Sequence, residues 1–248
     1  MGSVEAWGFF LAAAFGAEVV GTMAGFGAAT ILTPIAFLFM DAKAAVAMVA
    51  GFHLLGNLSR LRFFGRSIHW PTVWQFGATG IAASFLGARV TSSLPSSTLK
   101  ALFGGFLLVY VAGSALAGPR IRLPSHWATL IGGGLFSGFI AGLLGTGGAI
   151  RSVCLLAFGL EQTAYLGTSA MLAVLVDGTR LPVYIAGHFL PPRFLPVLLT
   201  LVPVAFAGAW TGQRLVRRLS GAAFRALVMT LLALMGVKLL WEGAHGGG

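Results

Sequence analysis

Charge is what this sequence has least of. Only 9% of its 248 residues are charged, and Asp and Glu together number six. An ordinary soluble domain is about 25% charged, so a water-facing surface cannot be covered here and a soluble globular fold is excluded. Cysteine is nearly absent: the lone Cys154 has no partner in the chain, which rules out an intrachain disulfide. No glycine-rich phosphate loop ends in Lys-Ser or Lys-Thr, so the chain does not by itself drive transport with ATP. Metal-ligand spacing is missing, and neither a metal nor a cofactor is expected. Ser169 sits in Gly167-Thr168-Ser169-Ala170, with His53 and His188 elsewhere, but no nucleophile motif holds a serine against a base, and enzyme chemistry is not expected. Alternating barrel strands are lacking too, which leaves a helical bundle as the spanning architecture. The start, Met1-Gly2-Ser3-Val4-Glu5, has no basic region, so no cleaved signal peptide is expected.

Apolar residues fill the space. They make up 57% of the chain, with a mean hydropathy of +0.91. A spanning helix needs about 20 mostly apolar residues. Segments at Trp7–Met23, Ala28–Met40, Ala44–Leu58, Trp70–Val90 and Ala101–Ala117 occupy the first half. Trp127–Leu144, Ala149–Leu160, Ala164–Val176, Phe194–Thr211 and Ala226–Trp241 occupy the second. Trp7, Trp70, Trp127 and Trp241 mark segment ends, as interface anchors do. Gly118–Ser125 separates the halves, which predicts repeats over 1–117 and 126–248 joined by 118–125.

The formal charge of +10 does not point to nucleic acid, because the basic residues sit at loop edges, as the positive-inside rule requires. Three clusters stand out: Arg60, Arg62 and Arg66; Arg120 and Arg122; Arg214, Arg217, Arg218 and Arg225. Ten crossings put all three on one side with both termini opposite. Eight crossings, with the two short segments dipping in and returning, put the third cluster on the other side. The ten-crossing reading is preferred, and its odd count per half inverts the second copy relative to the first.

Two glycine-rich breaks interrupt the apolar runs, Gly25-Phe26-Gly27-Ala28-Ala29 and Gly145-Thr146-Gly147-Gly148-Ala149, 120 positions apart. The register persists beyond them: Asp41 matches Glu161, Asn57 matches Asp177, Arg60 matches Arg180 and Pro71 matches Pro191. Each break precedes a short segment. A helix that starts at such a break presents unpaired N–H groups and the positive end of its dipole, which suits an anion. Paired breaks of this kind are the strongest sequence pointer to a transport site. Gly25, Gly27, Thr30, Gly145, Thr146, Gly147 and Arg151 are therefore the candidate substrate residues. Against this, small residues also permit tight helix packing, a role that fits Gly21, Gly25, Gly132 and Gly138.

Arginine inside a membrane faces a cavity or a partner. Arg151 either reads an anion with its guanidinium fork or pairs with Glu18 or Asp177. At i, i+3, Asn57 with Arg60 and Asp177 with Arg180 share a helical face. They form either a helix-end network with the arginines reaching the interface or a gate that flanks the anion path. His53, Glu18 and Asp177 are candidates for proton coupling, histidine because it titrates near neutral pH.

The stretches Gly21-Thr22-Met23-Ala24-Gly25-Phe26-Gly27-Ala28-Ala29, with Pro34 beyond, and Ala141-Gly142-Leu143-Leu144-Gly145-Thr146-Gly147-Gly148 resemble the TauE/SafE family of sulfite exporters, also called the toluene sulfonate uptake permease family. Size, segment count and duplication agree over nearly the whole chain. The resemblance implies a secondary transporter of the bacterial inner membrane that moves small anions such as sulfite, sulfoacetate or other sulfonates. Two positions depart from the family pattern: Ala28, where members often carry a third glycine, and Cys154, where proline is common.

The expectation is thus an all-α polytopic membrane protein of two homologous, inverted repeats, about five segments each, moving a small anion by alternating access. A passive anion channel and a membrane-embedded enzyme or assembly subunit are the alternatives. The partners expected are the anion and the lipid bilayer, without nucleic acid; a homodimer is left open.

Overall fold

Ten α-helices, and no strand, account for the structure among the described residues of this computed structural model, which are 4–25, 27–117, 123–215 and 222–245. The first half holds α1 (Val4–Ala24), α2 (Ala29–Ala36), α3 (Ala42–Phe64), α4 (Trp70–Ser93) and α5 (Ser96–Ala117). The second holds α6 (Trp127–Leu144), α7 (Gly148–Leu156), α8 (Gln162–Ala186), α9 (Leu195–Leu215) and α10 (Ala222–His245). Each apolar segment of the sequence has its helix. Most of the 118–125 join, with Arg120 and Arg122, lies outside the described residues, as do Arg217 and Arg218.

Among the described residues, seven helices are long and apolar enough to cross a membrane: α1, α3, α5, α6, α8, α9 and α10. Helix α4 is as long, with 24 residues. At about 1.5 Å per residue, α2 and α7, with 8 and 9 residues, reach less than half of a hydrocarbon core about 30 Å thick. The surface is inverted relative to a soluble protein. Val109 is 72% exposed and Leu199 70%, while Arg60 is 2% and Asp177 1% exposed. Lipid is the solvent that this distribution suits. The chain is a multi-pass membrane protein, in bacteria one of the inner membrane.

Helix α3 forms the centre, buried along most of its length by a run of small residues, Ala42, Ala44, Ala45 and Ala47. It packs on α8 and α9. Helix α4 packs on α6 and α8, α1 on α9, and α5 on α10. Exchange of the two halves maps these packings onto one another. The N-caps repeat as well: Asp41 before α3 and Glu161 before α8 share the backbone angles φ −55°, ψ 150°.

Small residues set the closest crossing. Along α6, a Cβ at Gly138 would collide with the Gly80 backbone of α4, and one at Gly142 with Ser84 O, the close approach that small residues at four-residue spacing allow. Gly132 does not act this way. Nothing lies within 4 Å of where its Cβ would be, because it borders an apolar crevice lined also by Tyr110, Phe136 and Cys154. Its packing role is corrected accordingly.

Two segment ends move furthest. Helix α3 continues from Leu58 to Phe64, and α8 from Val176 to Ala186. The apolar runs stop at Arg60 and at Asp177, but those charges are neutralised inside the bundle and do not end the helices.

Candidate functional site

Both breaks are left-handed turns held by the last turn of the preceding helix. Gly25 and Gly27 have φ +74° and +88°, and Gly145 has φ +81°, a region that glycine enters without a Cβ penalty. The N–H groups of Gly25 and Gly27 donate to Gly21 O at 3.0 and 3.2 Å, and Gly145 N donates to Ala141 O at 2.9 Å. Gly147 is glycine for another reason. Its φ is −138°, and a Cβ there would strike Ser137 O of α6. Gly21 likewise leaves room for the chain passing over α1, since its Cβ would overlap Ala28 N. No side chain caps the start of α2 or of α7, so the first-turn N–H groups of both lack that partner.

The two breaks meet. Thr30, in the first turn of α2, and Thr146, inside the second break, share a hydrogen bond of 2.7 Å between their hydroxyls, and both are buried. Ser169 of α8 bridges the breaks a second time. Its hydroxyl donates to Gly25 O at 2.6 Å and accepts from Arg151 Nε at 3.1 Å. The Tyr165 ring packs where a Gly25 Cβ would stand. Ser169, Tyr165 and Ser137, whose hydroxyl donates to Gly147 O at 2.8 Å, were not picked as site residues from sequence. The signal for Ser169 in the sequence is its polarity within an apolar segment.

Three arginines are buried near the breaks, and they differ. Arg60 donates from Nε and Nη2 to Glu18 Oε1, from Nε to Thr22 Oγ1 at 2.8 Å, and from Nη1 to Asn57 Oδ1 at 3.0 Å. Arg180 pairs through Nη2 with Asp177 Oδ1 at 2.7 Å and donates from Nη1 to Ala141 O at 2.8 Å. Each therefore ties its helix to the end of the helix before a break: Arg60 to α1 through the Glu18 and Thr22 side chains, Arg180 to α6 through Ala141 O, which also accepts from Gly145 N. Both guanidiniums are buried, so the network is internal and neither arginine reaches the interface. The first copy also contains an ion pair and not only an Asn hydrogen bond, because its carboxylate comes from Glu18 on α1.

Arg151, 3% exposed, has no carboxylate within ion-pair distance among the described residues, and its Nη2 has no hydrogen-bond partner. Pairing with Glu18 or Asp177 is thereby overturned: those carboxylates are taken by Arg60 and by Arg180 with His53. At the positions 120 residues before Arg151 and Ser169 stand Ile31 and Val49, so this polar pair has no counterpart in the first half.

His53 of α3 completes the centre. Its Nδ1 lies 2.7 Å from Asp177 Oδ2. Its Nε2 is buried without a partner among the described residues and abuts Gly27, whose Cβ would overlap it. Among the described residues no cluster of metal-ligating side chains occurs.

This arrangement of paired breaks, apolar exterior and buried charges has relatives. The sulfite exporter TauE/SafE family profile matches residues 10–239. A probable membrane transporter protein, y4hK of Sinorhizobium fredii, is 30% identical over 185 residues, which cover 70% of this chain and 72% of that protein. No solved structure matches the chain. A match spanning both breaks and the helices that brace them makes the chain a member of the sulfite exporter TauE/SafE family, and a membrane transporter.

Proposed function

We propose that this protein is a secondary transporter that moves a small anion, a sulfite or organic sulfonate, by alternating access. The anion binds where the breaks meet, lined by Gly25, Gly27, Thr30, Gly145, Thr146, Gly147 and Arg151. Arg60 and Arg180 flank it, with Asn57 and Asp177 orienting them. Repeats 1–117 and 126–248, inverted and related across this site, rock against each other to expose it to either side.

The observation that carries the proposal is the uncompensated guanidinium of Arg151. Glu18 neutralises Arg60 and Asp177 neutralises Arg180, which leaves Arg151 buried with an unused donor. A lone charge in a low-dielectric interior is costly, and a bound oxyanion both compensates it and fits the guanidinium fork. The uncapped start of α7, one turn away, adds donors of the same sign.

Purified protein reconstituted into vesicles, screened for tracer flux of sulfite, sulfoacetate, taurine and simple carboxylates, tests this. Flux of at least one anion that responds to an imposed gradient is expected. Absence of flux for all of them under any gradient rejects transport by this chain, and passive flux indifferent to a proton gradient favours a channel.

A further inference from the structure

We infer that His53 carries the coupling proton, so that each anion binds together with one proton taken up at His53 Nε2. The inference rests on the anion site proposed above and names the co-substrate of that site.

The structure separates three candidates for proton coupling. Glu18 accepts on Oε1 from Arg60 Nε and Nη2, with Thr22 beside them; its Oε2 has no partner among the described residues, but a proton there would cancel the charge that neutralises Arg60. Asp177 gives one oxygen to Arg180 and the other to His53. Neither carboxylate can take a proton without stranding a buried arginine. His53 has no such tie at Nε2, a buried ring atom without a partner that faces the first break at Gly27. The Asp177 carboxylate accepts from Nδ1–H, which fixes the tautomer and leaves the lone pair on Nε2. Protonation there turns an acceptor into an N–H donor at the break, while Asp177 holds the ring in place.

The charges around the ring supply the coupling. Asp177 pairs with the ring from α8 and is itself paired with Arg180; the charges of Arg151 on α7 and of Arg60 on the same helix act on the ring, and Glu18 on α1 is engaged by Arg60. Helix α2 carries no charged residue. On α9 the sole charged residue, Arg214, stands at the far end of the helix and is exposed. With His53 neutral, these groups leave one positive charge, that of Arg151. With His53 protonated they leave two. A second buried cation beside Arg151 is unfavourable until an anion joins them, and the anion is held more firmly once the second cation is present. Proton and anion therefore favour each other's binding, and this coupling is reciprocal. The proton enters from water with the anion and returns to water when the anion leaves on the other side. A divalent oxyanion matches the doubly charged state.

The test is calorimetric titration of the purified full chain with sulfoacetate, methanesulfonate and acetate, all ionised between about pH 6 and 8. Running it in buffers of different ionisation enthalpy reads proton uptake directly. The wild type is expected to take up about one proton per anion. Its apparent affinity should fall by up to about tenfold per pH unit once the ring is deprotonated. His53→Gln should bind more weakly, without proton uptake and without pH dependence. Anion binding by the wild type with no proton uptake overturns the assignment while leaving the anion site standing, and so does uptake that survives in His53→Gln. If no anion binds to the wild type, the site reading and this inference fall together. The wild-type buffer series needs no variant to fold.

Discussion

Replacing Glu18 with glutamine strands Arg60, and the size of the effect follows from the surroundings. Glu18 is fully buried, and its Oε1 accepts from Arg60 Nε at 3.1 Å, from Arg60 Nη2 at 2.5 Å and from Thr22 Oγ1 at 3.2 Å. Gly56 and Gly208 press on the same side chain: a Cβ at Gly56 would come within 2.6 Å of its carboxyl carbon, and one at Gly208 within 2.7 Å of its Cβ. Glutamine keeps the shape, but no water can enter to solvate the unpaired guanidinium. Removing one partner of a buried pair costs about 3–5 kcal/mol, whereas replacing both by groups of similar volume is often neutral. Glu18→Gln and Arg60→Met should each destabilise by that amount, and the double variant should lie within about 1 kcal/mol of wild type, a coupling of at least about 5 kcal/mol. Chemical unfolding in mixed micelles, followed through the six tryptophans, measures all four proteins. Losses that add to within about 0.5 kcal/mol refute the view that this pair is a mutually dependent brace. Flux through the double variant is a second readout. Recovery of transport together with stability is expected of a brace, while a stable but inert double variant shows that the charge of Arg60 itself acts on the anion.

Arg151→Gln should weaken anion binding by about ten- to a hundredfold, the scale of a lost charged hydrogen bond, while the protein remains folded in detergent; unchanged binding removes Arg151 from the anion site. Gly27→Ala forces a left-handed backbone angle on alanine and drives its Cβ into His53, so unfolding should become easier by more than the roughly 1–2 kcal/mol of the backbone term. Gly105→Ala, with open space around it, should be neutral in the same assay, and equal effects would discredit the geometric account. Arg62→Cys and Arg214→Cys, both at exposed positions, should label from the same side of the membrane if α2 and α7 each count as a crossing. Opposite sides return the topology to eight crossings.

Some of this was accessible from local chemistry alone. Composition dictates the solvent, because 9% charge cannot cover a water-facing surface. Apolar run length dictates the helices, and each of the ten segments became one. Positive-φ glycines in a fixed register mark where the chain must break, since Gly25, Gly27 and Gly145 all adopt angles that favour glycine. The segment ends near Leu58 and Val176 were misplaced for an instructive reason: a charge ends an apolar run in the sequence, but it ends a span only when nothing neutralises it.

That neutralisation is what tertiary structure alone decides. Arg60 finds its carboxylate 42 positions away on α1, and His53 finds Asp177 across 124 positions. Neither distance leaves a mark on local pattern, because pairing depends on which helix faces pack. Arg151 was conspicuous in the sequence as one charge inside an apolar stretch. Only the fold, by assigning Glu18 and Asp177 to other cations, leaves it as the buried charge that still lacks a counter-ion among the described residues.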